Sequence, residues 1–214
     1  MVTKSVKLLG GLAEPKYPRE KGERIELPLY GDAEHNLGIW CAIGVLVVNW
    51  GSDESVFLAI LQALLGGDKE TAIIVWLSFH NTANRLELVR RLTKQHVIDK
   101  ALRADIESAV VEFVGCTKTR NFFCHAAYRS DDQARLRVAQ SISLSDDGEP
   151  LIRDASRLLD RSTLNVVTET ARRLADLNPV LWVLVRRLED ALQVPPAKWS
   201  IQRNQNSKDG PADP

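Results

Sequence analysis

The chain has 214 residues, 44% of them hydrophobic, which suits one domain with a sizeable core. Lys+Arg number 28 and Asp+Glu 28, so the formal net charge is zero. That balance excludes a protein that coats nucleic acid through bulk charge, while leaving room for a local basic cleft.

Residues 1–31 read as an irregular segment, because Pro15, Pro18 and Pro28 punctuate a charged stretch that cannot hold a long helix. The structured domain is expected over residues 32–194, and residues 195–214 as a disordered polar tail after Pro195-Pro196. Residues 1–11 are too short and broken for a signal peptide, and the apolar run 37–50 is too short to span a bilayer. Cys41, Cys116 and Cys124 include no CxxC pair, which argues for a reducing compartment. The expectation is a cytoplasmic protein with no membrane insertion and no metal or cofactor.

Within the domain, apolar residues recur at helical spacing. Asp32 can cap a first helix through Trp40 and Val47. Gly51-Ser52-Asp53-Glu54 either kinks it or ends it, with Ser52 then capping a second helix that stops at Gly66-Gly67. Asp68 opens the next helix. Residues 81–92 and 96–113 continue the pattern, with Leu86, Val89 and Leu92, then Ile98, Leu102, Ile106, Val110 and Phe113.

Residues 134–144 break it. Leu136, Val138, Ile142 and Leu144 alternate with arginines and serines, and Asp146-Asp147-Gly148 is a turn signal, so a β-hairpin is expected. A last long helix starts at Ser162 or Thr163, and Asn178-Pro179 should kink or split it. The fold class is all-α, a helical bundle with a small β-hairpin inserted after the motif helix.

The segment that can carry chemistry is Arg120-Asn121-Phe122-Phe123-Cys124-His125. An Arg and a His with four residues between them, and a polar residue directly after the Arg, resembles the signature of HEPN domains. The loose resemblance extends over residues 32–194; the specific match covers residues 120–125 only. It implies a small α-helical domain, often dimeric, and in many members a metal-independent ribonuclease. Members that keep the fold without catalysis serve as binding modules. His125 would be the general acid/base, because imidazole titrates near neutrality. Arg120 would clamp the phosphate bidentately as negative charge develops, and Asn121 would orient.

On a regular helix Arg120 and His125 lie about 140° apart, an awkward pair within one chain unless Arg120 lies at a helix start and folds over. A symmetric dimer that brings two copies to one cleft, as the resemblance implies, solves this and is a requirement of the enzymatic reading. Lys118, Arg129, Arg135 and Arg137 are candidate RNA-binding residues forming a basic rim, although Asp131 and Asp132 dilute them. The expected partners are a second copy of the chain, RNA, and an antitoxin or other protein. The implied activity is that of an endoribonuclease, as in a toxin or defence effector.

The competing reading is a catalytically silent helical binding or scaffold protein, in which His125 is a partly buried packing residue and Cys124 inert filler. Lesser candidates are His80, Asn81, Asn84 and Arg85, which place polar groups on adjacent helical turns and could line a cleft. His35 is most simply exposed, and neither it nor His96 has a partner at metal-ligand spacing. Trp40, Trp50, Trp76 and Trp182 are assigned to core or dimer interface.

Overall fold

A computed structural model describes residues 33–144 and 152–195. The irregular segment 1–31, the Asp32 cap, the Asp146-Asp147-Gly148 turn and all but Pro195 of the tail lie outside the described residues. Five helices and three strands follow in the order α1 (Ala33–Leu64), α2 (Lys69–Ser78), α3 (Thr82–His96), α4 (Lys100–His125), β1 (Ala127–Ser130), β2 (Leu136–Leu144), β3 (Ile152–Leu158) and α5 (Arg161–Leu192).

The chain divides into two compact units. One takes in the chain up to Gly44 with Phe122–Thr168, and the other Val45–Asn121 with the chain from Glu169 onward.

α1 runs unbroken for 32 residues through Gly51-Ser52-Asp53-Glu54, so the expected stop is absent. A helical glycine costs about 1 kcal/mol against alanine. That cost is outweighed because Trp50, Asp53, Val56, Phe57, Ile60, Leu61 and Leu64 form one buried face; burying one large apolar side chain contributes about 1.5–3 kcal/mol. Ser52, lying inside the continuous α1, caps no new helix; the Ser55 hydroxyl donates back to the Gly51 carbonyl at 2.9 Å.

Glu34–Leu64 is therefore long and apolar enough to cross a membrane by length and composition, which removes the length argument drawn from residues 37–50. A protein-core helix meets the same criterion, and 44% of its most apolar window is buried. The buried Asp53 and Gln62 on this helix belong with a core.

α1 ends as expected at Gly66 and Gly67, with φ of 80° and 90°. The Gly67 N–H donates to the Gln62 carbonyl at 2.9 Å, closing the last turn. Asp68 caps α2 by accepting from the Glu70 and Thr71 N–H groups, and Asn81 caps α3 by accepting from Asn84. α5 begins at Arg161, capped by Asp160, which accepts the Thr163 N–H at 2.8 Å; neither Ser162 nor Thr163 is the cap. α5 continues through Pro179 without splitting. Leu174, Leu177, Leu181, Leu184 and Leu188 are buried on one face, and their burial outweighs a helix-interior proline, which costs about 3 kcal/mol.

In the Val45–Asn121/Glu169-onward unit the core is partly aromatic. Trp50 stacks on Phe113 with centroids 5.6 Å apart, and Phe57 tilts against Phe113 at 5.0 Å. Asp53 is 0% exposed and accepts from Asn178 Nδ2 at 2.8 Å. Arg85 is a tie rather than a cleft residue. Its guanidinium donates to the Trp76 and Phe79 carbonyls at the end of α2 and to Glu54, and it lies over the Trp76 ring.

In the other unit a three-stranded antiparallel sheet has the order β1-β2-β3. The β2/β3 hairpin was expected; β1 was not. Nor does the apolar alternation of β2 mark a buried face: Leu136 is buried but Ile142 is 68% exposed, while Ala139, on the opposite side, is fully buried. The start of α1 holds the entry to β2. Asn36 Nδ2 donates to the Ala134 carbonyl at 3.0 Å, and the Leu136 N–H donates to Asn36 Oδ1 at 2.9 Å. His35, expected to be exposed, is half-buried, and its Nε2 donates to the Leu136 carbonyl at 3.1 Å.

Candidate functional site

The helix expected at residues 96–113 begins later, at Lys100, because His96 ends α3 and Ile98 is exposed between the two; α4 then runs on for 26 residues to His125. Arg120, Asn121 and His125 thus occupy its last two turns. The boundary between the two units falls between Asn121 and Phe122, so each group is taken with its own surroundings.

Arg120 is half-buried. Its guanidinium carbon lies 4.2 Å from the Trp50 ring centroid, a close cation–π contact. Trp50 is fixed by its stack on Phe113 and by its Nε1–H, which donates to Thr117 Oγ1 at 2.9 Å. Thr117 donates in turn to the Phe113 carbonyl at 2.8 Å. One terminal nitrogen of Arg120 donates to Asn121 Oδ1 at 3.0 Å. The buried Nε of Arg120 has no hydrogen-bond partner, an orphan donor of the kind that marks strain or an absent acceptor. Asn121 is exposed and so orients the guanidinium from the solvent side.

His125 and Cys124 are exposed at the end of α4. This overturns the reading of His125 as a partly buried packing residue and of Cys124 as filler. The turn that carries them is fixed by residues that sequence reasoning did not single out. Tyr128 donates its hydroxyl to the Phe123 carbonyl at 2.6 Å, capping one of the terminal carbonyls that a helix leaves unpaired. Burial pushes the Tyr128 phenol up to about 12, so it stays a donor. Trp40 packs edge-on against Tyr128 at 5.0 Å. Arg157 lies over the Phe122 ring at 4.4 Å, while Phe123 is buried. A tyrosine three residues past a helix end is a cap that its spacing could have indicated; the Arg157 contact crosses β3 and has no local signal.

The candidate basic rim is uneven. Lys118 and Arg129 are exposed. Arg135 and Arg137 both donate to Asp131 Oδ2, at 3.1 and 2.8 Å. Asp131 Oδ1 also accepts the Arg135 and Gln133 N–H groups. These bonds, the Arg135 N–H first, hold the Asp131 carboxyl well below the usual range. Two of the four rim cations therefore already have an anionic partner.

No family model, curated protein or solved structure matches this chain.

The lesser candidates separate. Asn84 lines a cavity of about 170 Å³ with Phe79, Glu87, Leu88 and Arg91, and His80 is not among the lining residues. Asn81 and Arg85 are used as cap and tie. Trp50 and Trp76 are core, whereas Trp40 is 43% exposed and Trp182 36%. Among the described residues no three His, Cys, Asp or Glu side chains cluster as a metal site.

Proposed function

We propose that the chain is a HEPN-like, metal-independent endoribonuclease that acts as a homodimer in the cytoplasm, as a toxin or defence effector does. The observation that carries this reading is the state of the motif: an exposed His125 on a capped helix end, and an Arg120 guanidinium braced by Trp50 and Asn121 on the same helix. A braced guanidinium loses little entropy when it takes a phosphate, and an exposed imidazole is free to exchange protons with an RNA strand. His125 would remove the 2′-hydroxyl proton as the oxygen attacks phosphorus, or protonate the departing 5′-oxygen. Arg120 would balance the charge gathering on the phosphate.

A second copy is required by helix geometry, since residues five apart face different ways. On α1, Leu37 and Trp40 are exposed apolar side chains in one unit, and Val45 and Val48 in the other. These exposed apolar residues favour a second reading, a catalytically silent binding or scaffold protein that engages a partner such as an antitoxin through α1.

The test is RNA cleavage by the wild type, His125→Ala and Arg120→Ala with EDTA present, with oligomeric state measured on the same samples. EDTA-resistant cleavage lost in both variants, with dimers intact, is the expected result. Equal cleavage by all three, or by none, selects the scaffold reading.

A further inference from the structure

A cavity of about 600 Å³ opens between α3 and α4, away from the motif and within the Val45–Asn121 part of the chain. It is lined by Glu87, Arg90, Thr93 and Lys94 from α3, and by Arg103, Ala104, Ile106 and Glu107 from α4. Such a volume accommodates a nucleotide-sized molecule.

The charges in this wall are not equivalent. Arg90 and Glu107 satisfy each other through two contacts, at 2.8 and 3.0 Å. Glu87 is held by Arg91, whose hydrogen bond is the main influence drawing its carboxyl below the usual range. Among the described residues neither the Lys94 nor the Arg103 side chain makes a hydrogen bond or ion pair, although the charge of Lys94 acts on Glu87, so two cations line the cavity without a bonded partner. Thr93 is only 4% exposed, and its hydroxyl has no hydrogen-bond partner. A buried hydroxyl left unpaired costs about 1–3 kcal/mol, so an acceptor or donor that completes it is strongly favoured. The α4 N-terminus is already capped, because Asp99 Oδ1 accepts the Ala101 N–H at 2.8 Å, so the attraction for an anion comes from the side chains.

We infer that this cavity binds a small phosphorylated ligand of mononucleotide size, its phosphate on Lys94 and Arg103, its hydroxyl or amino groups against Thr93 and the Glu107 carboxylate. A guanidinium and an ammonium together match a phosphate in charge and donor number. The Glu107 carboxylate, one turn on from Arg103 along α4 and paired with Arg90, can also accept from ribose hydroxyls or an exocyclic amine through its remaining lone pairs. The volume matches a single free nucleotide. The inference does not rest on the ribonuclease reading and stands or falls separately from it.

The experiment is equilibrium binding to the full chain by calorimetry, with AMP, pyrophosphate and adenosine as probes and a ten-nucleotide RNA as a fourth. AMP should bind one per chain, and adenosine at least about tenfold more weakly, since hydrogen bonds to charged groups carry that much. Lys94→Ala and Arg103→Ala should each weaken AMP by about tenfold or more with unchanged circular dichroism, because neither side chain holds the fold together. Thr93→Val should weaken AMP and adenosine alike. The inference is overturned if AMP does not bind at millimolar concentration, if adenosine binds as well as AMP, if both charge variants bind like the wild type, or if the RNA binds more tightly than AMP through these same residues.

Discussion

The guanidinium of Arg120 lies 4.2 Å above the indole of Trp50, and that indole is itself pinned by Phe113 and Thr117. The aromatic core of the bundle thereby reaches the first residue of the motif. Trp50→Phe would keep a ring but lose the N–H that reaches Thr117. It is expected to cost about 1–2 kcal/mol in urea unfolding. If Arg120 acts on RNA, the same variant should lower cleavage more than substrate affinity, and an unchanged rate would remove Trp50 from any positioning role.

Tyr128→Phe tests the other end of the motif. The loss of its hydroxyl leaves the Phe123 carbonyl without its cap, at a cost of about 1 kcal/mol. Amide exchange should speed up in the last turn of α4, around His125, and not in α3. Uniform protection in the variant would show that the cap does not hold this turn.

Arg85→Ala should destabilise more than either, by about 2–4 kcal/mol, since it removes a donor from the Trp76 and Phe79 carbonyls and from Glu54 at once. Arg85→Lys should recover little, because an ammonium cannot reproduce the fork or lie flat on Trp76. Full recovery by lysine in chemical denaturation would reduce the tie to simple charge.

The pH dependence has two opposed parts. Burial raises the Asp53 carboxyl to about 6, against the lowering hydrogen bond from Asn178. A raised carboxyl contributes stability that is complete below the unfolded value near pH 4 and is lost as pH rises through 6, on the order of 2–3 kcal/mol. Asp131 is depressed, so its contribution is present above the unfolded value and lost as pH falls into the acid range. Asp53→Asn should therefore flatten the decline in Tm between pH 4 and 7 while leaving the acid limb in place. A decline that persists unchanged in the variant would assign it to another group.

Asp131→Asn addresses the rim. It removes the anion that Arg135 and Arg137 share, so if these arginines meet RNA the salt dependence of binding should steepen by about 0.7–0.9 per freed contact. An unchanged slope would leave both arginines to the β1/β2 turn. Faster exchange at Gln133 and Arg135 is expected in either case, because their N–H groups donate to Asp131.

Much of this architecture was legible. The stop at Gly66-Gly67, the helix start at Asp68 and the β2/β3 pairing all lie in local chemistry, whereas Asn81, assigned to a possible cleft, is the cap of α3. The breaks expected at Gly51–Glu54 and at Pro179 did not appear, because the faces running from Trp50 to Leu64 and from Leu174 to Leu188 bury enough to override local preference. β1 is four residues, Ala-Tyr-Arg-Ser, with an exposed or half-exposed pattern; it exists because β2 pairs with it, which no window of sequence shows. At the motif, residue types were readable, but the exposure of His125 and the bracing of Arg120 depend on Tyr128 and Trp50, whose contacts are tertiary.

Asn36 has a consequence of its own. Its amide gives a hydrogen to the Ala134 carbonyl and takes one from the Leu136 N–H, meeting the chain on either side of Arg135 as a neighbouring strand residue would. Aspartate there would set an oxygen against the Ala134 carbonyl, serine is too short to serve both, and an amide turned end for end would meet like with like twice. The position is thus a two-pronged key with one orientation, and it determines at which residue β2 begins.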